Sequence, residues 1–169
     1  MAAFTLAERI AKFGDPTGGK PPVEKGRGLI IPDRQWVADN IVWVDFPFYL
    51  PLSNGKKARG CQIHRKCKPS LLKALRELEQ NHLQGLIHSF DGSFVPRHIG
   101  WKAGRPLSTH AWGIAVDLNT AEFPMGSLKV QARALVETMA NHGFACGQNG
   151  GGLWANTMDP MHFEYTFRG

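Results

Sequence analysis

The sequence predicts an α+β fold in which a small antiparallel sheet carries helices packed on one side. Three observations lead there. Short apolar runs of strand length recur along the chain, from 29–31 and 41–44 to 86–90, 144–146 and 161–167. Two longer segments, around Leu71–Leu78 and Leu128–Met139, carry apolar stripes at helical spacing. Their interleaving is too irregular, and the strands too short, for a doubly wound parallel sheet. At 169 residues the chain reads as one domain able to bury a proper core. Residues 1–55 read as an N-terminal extension wrapped on a core of residues 56–169. There is no internal repeat and no low-complexity tract.

Taken in order, Thr5 caps a short helix from Leu6 to about Phe13, which Gly14-Asp15-Pro16 ends. Thr17–Arg27 is rich in Gly, Pro and Lys and reads as an exposed connector. Ile41–Val44 is a better strand candidate than Leu29–Ile31. From Phe46 to Asn54, prolines and aromatics predict an irregular arm laid over the core. Cys61–His64 reads as a strand entering the first strong helix, capped by Ser70, striped by Leu71, Leu72, Leu75 and Leu78, and ended by Gly85. Leu86–Phe90 is expected as a buried strand turned by Asp91-Gly92, followed by Phe94–Arg97 and a Gly/Lys/Arg loop. The next strand is Gly113–Asn119. A second helix is expected from Ser127 to about Asn141, with Leu128, Ala132, Leu135 and Met139 inward and Gly143 as its stop. Phe144–Cys146, a flexible loop over Gly147–Gly152, and a last strand at Met161–Phe167 complete the chain.

Composition narrows the class. A hydrophobic content of 43% with 20% charged residues fits a soluble globular protein and excludes a disordered one. No apolar run approaches the roughly 18 residues of a membrane helix, so no membrane insertion is expected. A net charge of +6 and a pI near 9.5 favour polyanions, either nucleic acid or an anionic cell envelope. The densest basic cluster, Lys56 to Lys68, reads equally as a solvated loop. It lacks the aromatic interleaving of single-strand platforms, so no nucleic-acid partner is expected. Three cysteines argue against a disulfide framework. Cys61, His64 and Cys67 have the look of a metal cluster without a fourth ligand, and a Cys61–Cys67 bridge stays open.

The chemistry gathers in Ser108-Thr109-His110-Ala111-Trp112-Gly113-Ile114-Ala115-Val116-Asp117. His110 should leave a loop, while Asp117 lies on a strand. Period-two alternation then puts Gly113, Ala115 and Asp117 on one face and Ile114, Val116 and Leu118 on the core face. The small residues beside the carboxylate leave space for an ion and a bound peptide. Asp159-Pro160-Met161-His162-Phe163-Glu164 adds a second imidazole and further carboxylates. Two His and one Asp, with a fourth position left to water, form the donor set of an open catalytic zinc site.

The pattern S-x-H-x-x-G-x-A-x-D has five fixed positions and would arise by chance about once in ten thousand chains of this size. With the closing D-x-x-H-F-E it resembles the zinc peptidases that group D-Ala-D-Ala carboxypeptidases, D-Ala-D-Ala dipeptidases and L-Ala-D-Glu endopeptidases of phage lysis. The resemblance covers about Gly85 to Tyr165. It looks closest to the endopeptidase branch, because the carboxypeptidase branch usually has Glu where this chain has Asp159. It implies the hedgehog/D-Ala-D-Ala-peptidase-like zinc fold, one Zn2+ ion held by His110, Asp117 and His162, and bacterial peptidoglycan as the partner of a monomer.

Within that resemblance Asp159 is the expected general base, passing a proton from water to the departing amine. Arg97 matches by position an arginine that steadies the carbonyl oxygen, with Arg105 as its rival. Ser108 should fix the loop by a hydrogen bond, since it lacks the relay of a nucleophile. Trp154 is expected at a cleft rim, and Glu164 either orients a ligand or makes a surface ion pair. The remaining histidines, 64, 82, 88, 98 and 142, have no spacing that demands a ligand role, and His88 alone could pack near the site. The N-terminus places acid and base where a signal peptide would be apolar. That suits a lysis enzyme made in the host cytoplasm and released to the wall. Two other readings stay open: a D-Ala-D-Ala carboxypeptidase or dipeptidase, and a non-catalytic zinc-containing binding module.

Overall fold

The structure, a computed structural model, describes residues 2–148, 153 and 157–169. Helix α1 (Leu6–Phe13) begins where expected, with a reciprocal cap: Glu8 N donates to Thr5 Oγ1 at 3.2 Å and Thr5 N to Glu8 Oε2 at 2.7 Å. Its last residue, Phe13, is buried edge-on against Phe4, His64 and Tyr165, so the helix is seated on the core.

The stretch expected as a connector holds strand β1 (Val23–Gly26), wholly exposed and antiparallel to β2 (Leu29–Ile31). A strand solvated on both faces has no apolar period, so composition hid it. Helix α2 (Arg34–Asn40) also escapes the periodicity because it buries only Trp36; Asp33 caps it through Trp36 N at 2.7 Å. The expected irregular arm is instead the second half of a long strand, β3 (Ile41–Pro51), paired antiparallel with β4 (Lys57–His64). The pairing shifts register between Asp45 and Leu50, which accommodates Pro47, a residue without a backbone donor.

Helix α3 (Lys68–Gln80) starts earlier than Ser70. Cys67 is its N-cap and Pro69 falls in the first turn, where a missing N–H costs nothing. Leu71, Ala74, Leu75 and Leu78 form its buried stripe, with Leu72 at the margin. It ends at Gln80, and Gly85 sits beyond it in a 3-10 turn. The expected strand over Leu86–Phe90 contracts to β5 (Phe90–Gly92). Strand β6 (Ala115–Leu118) follows the motif loop. Helix α4 (Arg133–Asn141) starts six residues later than Ser127, and Leu128 is 87% exposed rather than inward, while Leu135 and Met139 are buried as expected. Gln131 explains the delay. Its side-chain N–H groups donate to Leu118 O (2.8 Å) and Pro160 O (3.2 Å), and its Oε1 accepts from Asn119, which ties the approach to the sheet rather than to a helix.

Strands β7 (Phe144–Gly147) and β8 (Asp159–Tyr165) complete a four-stranded antiparallel sheet in the order β5-β6-β8-β7. Helix α4 packs on β7 and on α3. The fold is therefore α+β, with four helices among the described residues and small antiparallel sheets, as the sequence predicts. Val116 and Phe163 of the central strands point into one core with Leu75, Leu78, Leu135 and Phe144. Phe167 lies past the end of β8 and is half exposed, not core. Of the expected loop Gly147–Gly152, residues 149–152 lie outside those described. Among the described residues no helix is long and apolar enough to cross a membrane.

Candidate metal centre

The central pair of strands builds the site. In the antiparallel register of β6 and β8, Asp117 stands directly opposite His162 and Ala115 opposite Glu164. Directly opposed residues share a face, so the carboxylate and imidazole meet above the sheet while Val116 and Phe163 fill the core beneath. Ala115 adds almost no bulk between them. Gly113 is not on this strand. It adopts φ 65° and closes a 3-10 turn, Thr109–Trp112, that carries His110 over the sheet.

Three donor atoms converge. His110 Nε2 lies 3.1 Å from Asp117 Oδ1 and 3.2 Å from His162 Nδ1, and His162 Nδ1 lies 3.2 Å from Asp117 Oδ1. A tetrahedral zinc with bonds of about 2.0–2.1 Å needs ligand atoms about 3.3 Å apart, so this triangle is close to one face of its coordination shell. Each imidazole is also oriented from behind. His110 Nδ1 is 2.8 Å from Ser93 O, and His162 Nε2 is 3.1 Å from Glu164 Oε2, which leaves the opposite nitrogen of each ring as the ligand atom. Thr109 Oγ1 adds a 3.4 Å contact to His162 Nε2. His110, Asp117 and His162 could thus hold a metal ion, and the donor set and spacing fit zinc.

The electrostatics favour a cation. Burial alone would strip His162 of its proton, but Asp117 and Glu164 outweigh it and hold that proton up to a pKa of about 10. Burial likewise opposes ionisation of Asp117, yet His110 and His162 keep its carboxyl well below the ordinary range. Asp159 is different. It opens β8, is 8% exposed, and burial raises its pKa; His162 pulls against that and Asp117 adds to it, with His110 and Arg97 opposing. Among the described residues its buried Oδ1 has no hydrogen-bond partner, a carboxylate oxygen poised for a water or an incoming proton.

These residues line one cavity of about 510 Å3, together with Arg97, Arg105, Ser108 and Glu164. Arg97 is placed by backbone bonds: Ser108 N donates to Arg97 O at 3.0 Å, and Val95 N to His110 O at 3.0 Å. Its guanidinium stacks 4.8 Å from the Trp101 ring centroid and donates to His98 O at 3.3 Å. Burial lowers its pKa while Asp117 and Asp159 sustain its charge. Arg105, the rival, also reaches the cavity but lies on its exposed rim. Ser108 accepts a 3.3 Å bond from His110 N and caps the turn, the positioning role expected of it. Glu164 is 1% exposed, which rules out the surface ion pair. Trp154 lies outside the described residues.

The structure also answers what the sequence left open. His88 is half exposed and paired with Glu122, away from the cavity. Cys61 and Cys67 are free, buried thiols, and burial pushes Cys61 up to about 12 and Cys67 higher still. His64 faces Phe13 O at 3.2 Å, so this trio makes no metal cluster. The sequence reading missed Ser93, whose contribution is a backbone carbonyl and leaves no trace in residue type. It also missed Thr109, Trp101 and Arg9 at the cavity wall; a basic residue in the middle of an amphipathic helix gives no sign of where it will reach.

No curated protein and no solved structure matches the chain. Residues 101–165, which include His110, Asp117, Asp159 and His162, match the family model described as D-alanyl-D-alanine carboxypeptidase, and over that stretch this chain is similar to that family, which supports a metallopeptidase at the coarse level.

Proposed function

We propose that the protein is a zinc-dependent peptidase of the peptidoglycan stem peptide that cleaves the L-Ala-D-Glu bond, and that it serves as a lysis enzyme. The observation that carries the reading is the triangle of His110, Asp117 and His162 donors beside a buried Asp159 carboxylate with an unpartnered oxygen. A closed structural site would need neither that carboxylate nor Arg97, so the open cavity favours an enzyme over a binding module.

Bound to the three ligands, one zinc ion would supply Lewis acidity and make a water nucleophilic near neutral pH. Asp159 takes the proton from the attacking water. Its raised pKa makes it a better base at that moment and lets it return the proton to the departing amine. Arg97, held between Trp101 and the His98 carbonyl, receives the carbonyl oxygen as negative charge develops there. Glu164 and the Ser93 carbonyl keep the two imidazoles in the tautomers that coordinate. In the stem the D-Glu is linked through its side chain, so its α-carboxylate is free for a guanidinium. The aspartate at position 159, where the carboxypeptidase branch usually has Glu, supports the endopeptidase assignment. We further propose that the chain acts as a monomer, is made in the host cytoplasm and reaches the wall on release.

The test is bond identification. Purified protein is incubated with peptidoglycan and the products are read by mass spectrometry, with and without a chelator. New D-Glu amino termini, lost on chelation and restored by zinc, are expected. Free D-Ala instead would assign the carboxypeptidase reaction, and activity surviving exhaustive chelation would refute the metal.

A further inference from the structure

Arg9 reaches from α1 to the wall of the same cavity that holds the three donors, Asp159 and Arg97. Its guanidinium lies 4.8 Å from the ring centroid of Trp112. That ring is itself fixed, being 1% exposed with its Nε1 donating to Gly14 O at 2.8 Å. The helix that carries Arg9 is anchored by the Thr5–Glu8 cap and by Arg168, whose side chain bonds Glu8 and the Ala2 carbonyl. Arg9 is therefore held at a defined place rather than left to solvent.

Its donors are nevertheless uncommitted. Among the described residues the buried Nε has no hydrogen-bond partner and no side chain accepts from the guanidinium. Glu164 is the acid whose charge reaches it, but Glu164 Oε2 is engaged by His162 and among the described residues its Oε1 has no partner either, so the two groups do not pair. A half-buried guanidinium with a stacked face and unmatched N–H groups is costly unless an acceptor arrives.

We infer that Arg9 is a second anion-binding residue of the cavity, taking a free carboxylate of the peptide substrate while Arg97 faces the reacting carbonyl oxygen. This rests on the peptidase reading of the site. In a stem peptide the α-carboxylate of D-Glu is the free carboxylate beside the scissile bond, and its amidation would remove the acceptor. Arg9 thereby makes the enzyme selective for stems whose D-Glu is not amidated.

The experiment compares the zinc-loaded full chain with its Arg9→Gln and Arg9→Lys variants on L-Ala-γ-D-Glu-L-Lys and on the same peptide amidated at the D-Glu α-carboxyl. Arg9→Gln should lower kcat/KM on the free acid about 10- to 100-fold, chiefly through KM. Amidation should cost the parent protein a similar factor, the two losses should not add, and Arg9→Lys should recover part of the loss. In parallel, the Arg9 Nε–H resonance of the metal-free protein is followed as each peptide is added. A shift with the acid and none with the amide supports the subsite independently of turnover. If the parent protein hydrolyses neither peptide, the peptidase reading fails and the resonance alone decides Arg9. An Arg9→Gln protein that still prefers the free acid overturns the inference. So does one that binds zinc more weakly at unchanged KM, which would make Arg9 a partner of Glu164. Thermal melts of both variants confirm that the fold is retained.

Discussion

Glu164 Oε2 lies 3.1 Å from His162 Nε2, two residues further along the same strand. The i, i+2 spacing of β8 puts both side chains on the face opposite Phe163, so one strand supplies a metal ligand and the carboxylate that orients it. Ala115, facing Glu164 across the sheet, offers only a methyl group beside that carboxylate.

Glu164→Gln keeps the shape of the side chain and removes its charge. Zinc affinity should fall about 10- to 100-fold, the usual cost of losing a partner behind a ligating histidine. Competition against a chromophoric chelator measures it. Unchanged affinity would show that His162 is oriented without Glu164.

Asp159→Ala should leave zinc bound while lowering turnover about 10^2- to 10^4-fold, the range for a lost general base. Metal analysis of the purified variant and steady-state rates on a stem peptide check the two halves separately. Near-normal rates would remove Asp159 from the mechanism.

The same carboxyl predicts a pH effect on stability. Because burial raises its pKa in the fold, its contribution is fully present below the unfolded-state pKa and is lost as pH rises through the folded value. Near pH 7 the ionised Asp159 therefore destabilises the metal-free protein. Asp159→Asn should melt higher than the parent there, and the advantage should shrink as both are acidified past the ordinary carboxylate range. Equal melting temperatures at pH 7 would contradict the burial argument.

Gly113 joins the His110 turn to β6 at φ 65°, and a Cβ there would stand 2.9 Å from the His64 backbone nitrogen. Gly113→Ala should destabilise by about 1–3 kcal/mol and loosen zinc binding by displacing His110. Urea unfolding and the chelator competition read the two effects. By contrast Phe144→Ala, in a fully buried edge-to-face contact with Tyr165, should cost about 3–5 kcal/mol and leave metal affinity nearly intact in the folded fraction.

The sequence by itself determined the α+β class, the helix at Leu6–Phe13, the buried stripe of α3 and the residues that meet as a triad. Each rests on local signals: a cap, a period, or a spaced motif whose residue types have few other uses together. It did not show β1, α2 or the far half of β3, because exposed pairing and a helix burying one tryptophan leave no periodic trace. It placed the start of α4 too early, since the Gln131 bonds that hold 120–132 to the sheet join residues distant in the chain. Tertiary structure alone decided what surrounds the triad. The register of β6 against β8 set Asp117 opposite His162, the Ser93 carbonyl fixed His110, and α1 delivered Arg9 to the same cavity. Long-range register and backbone acceptors depend on how the chain closes on itself, and residue types along it do not encode them locally.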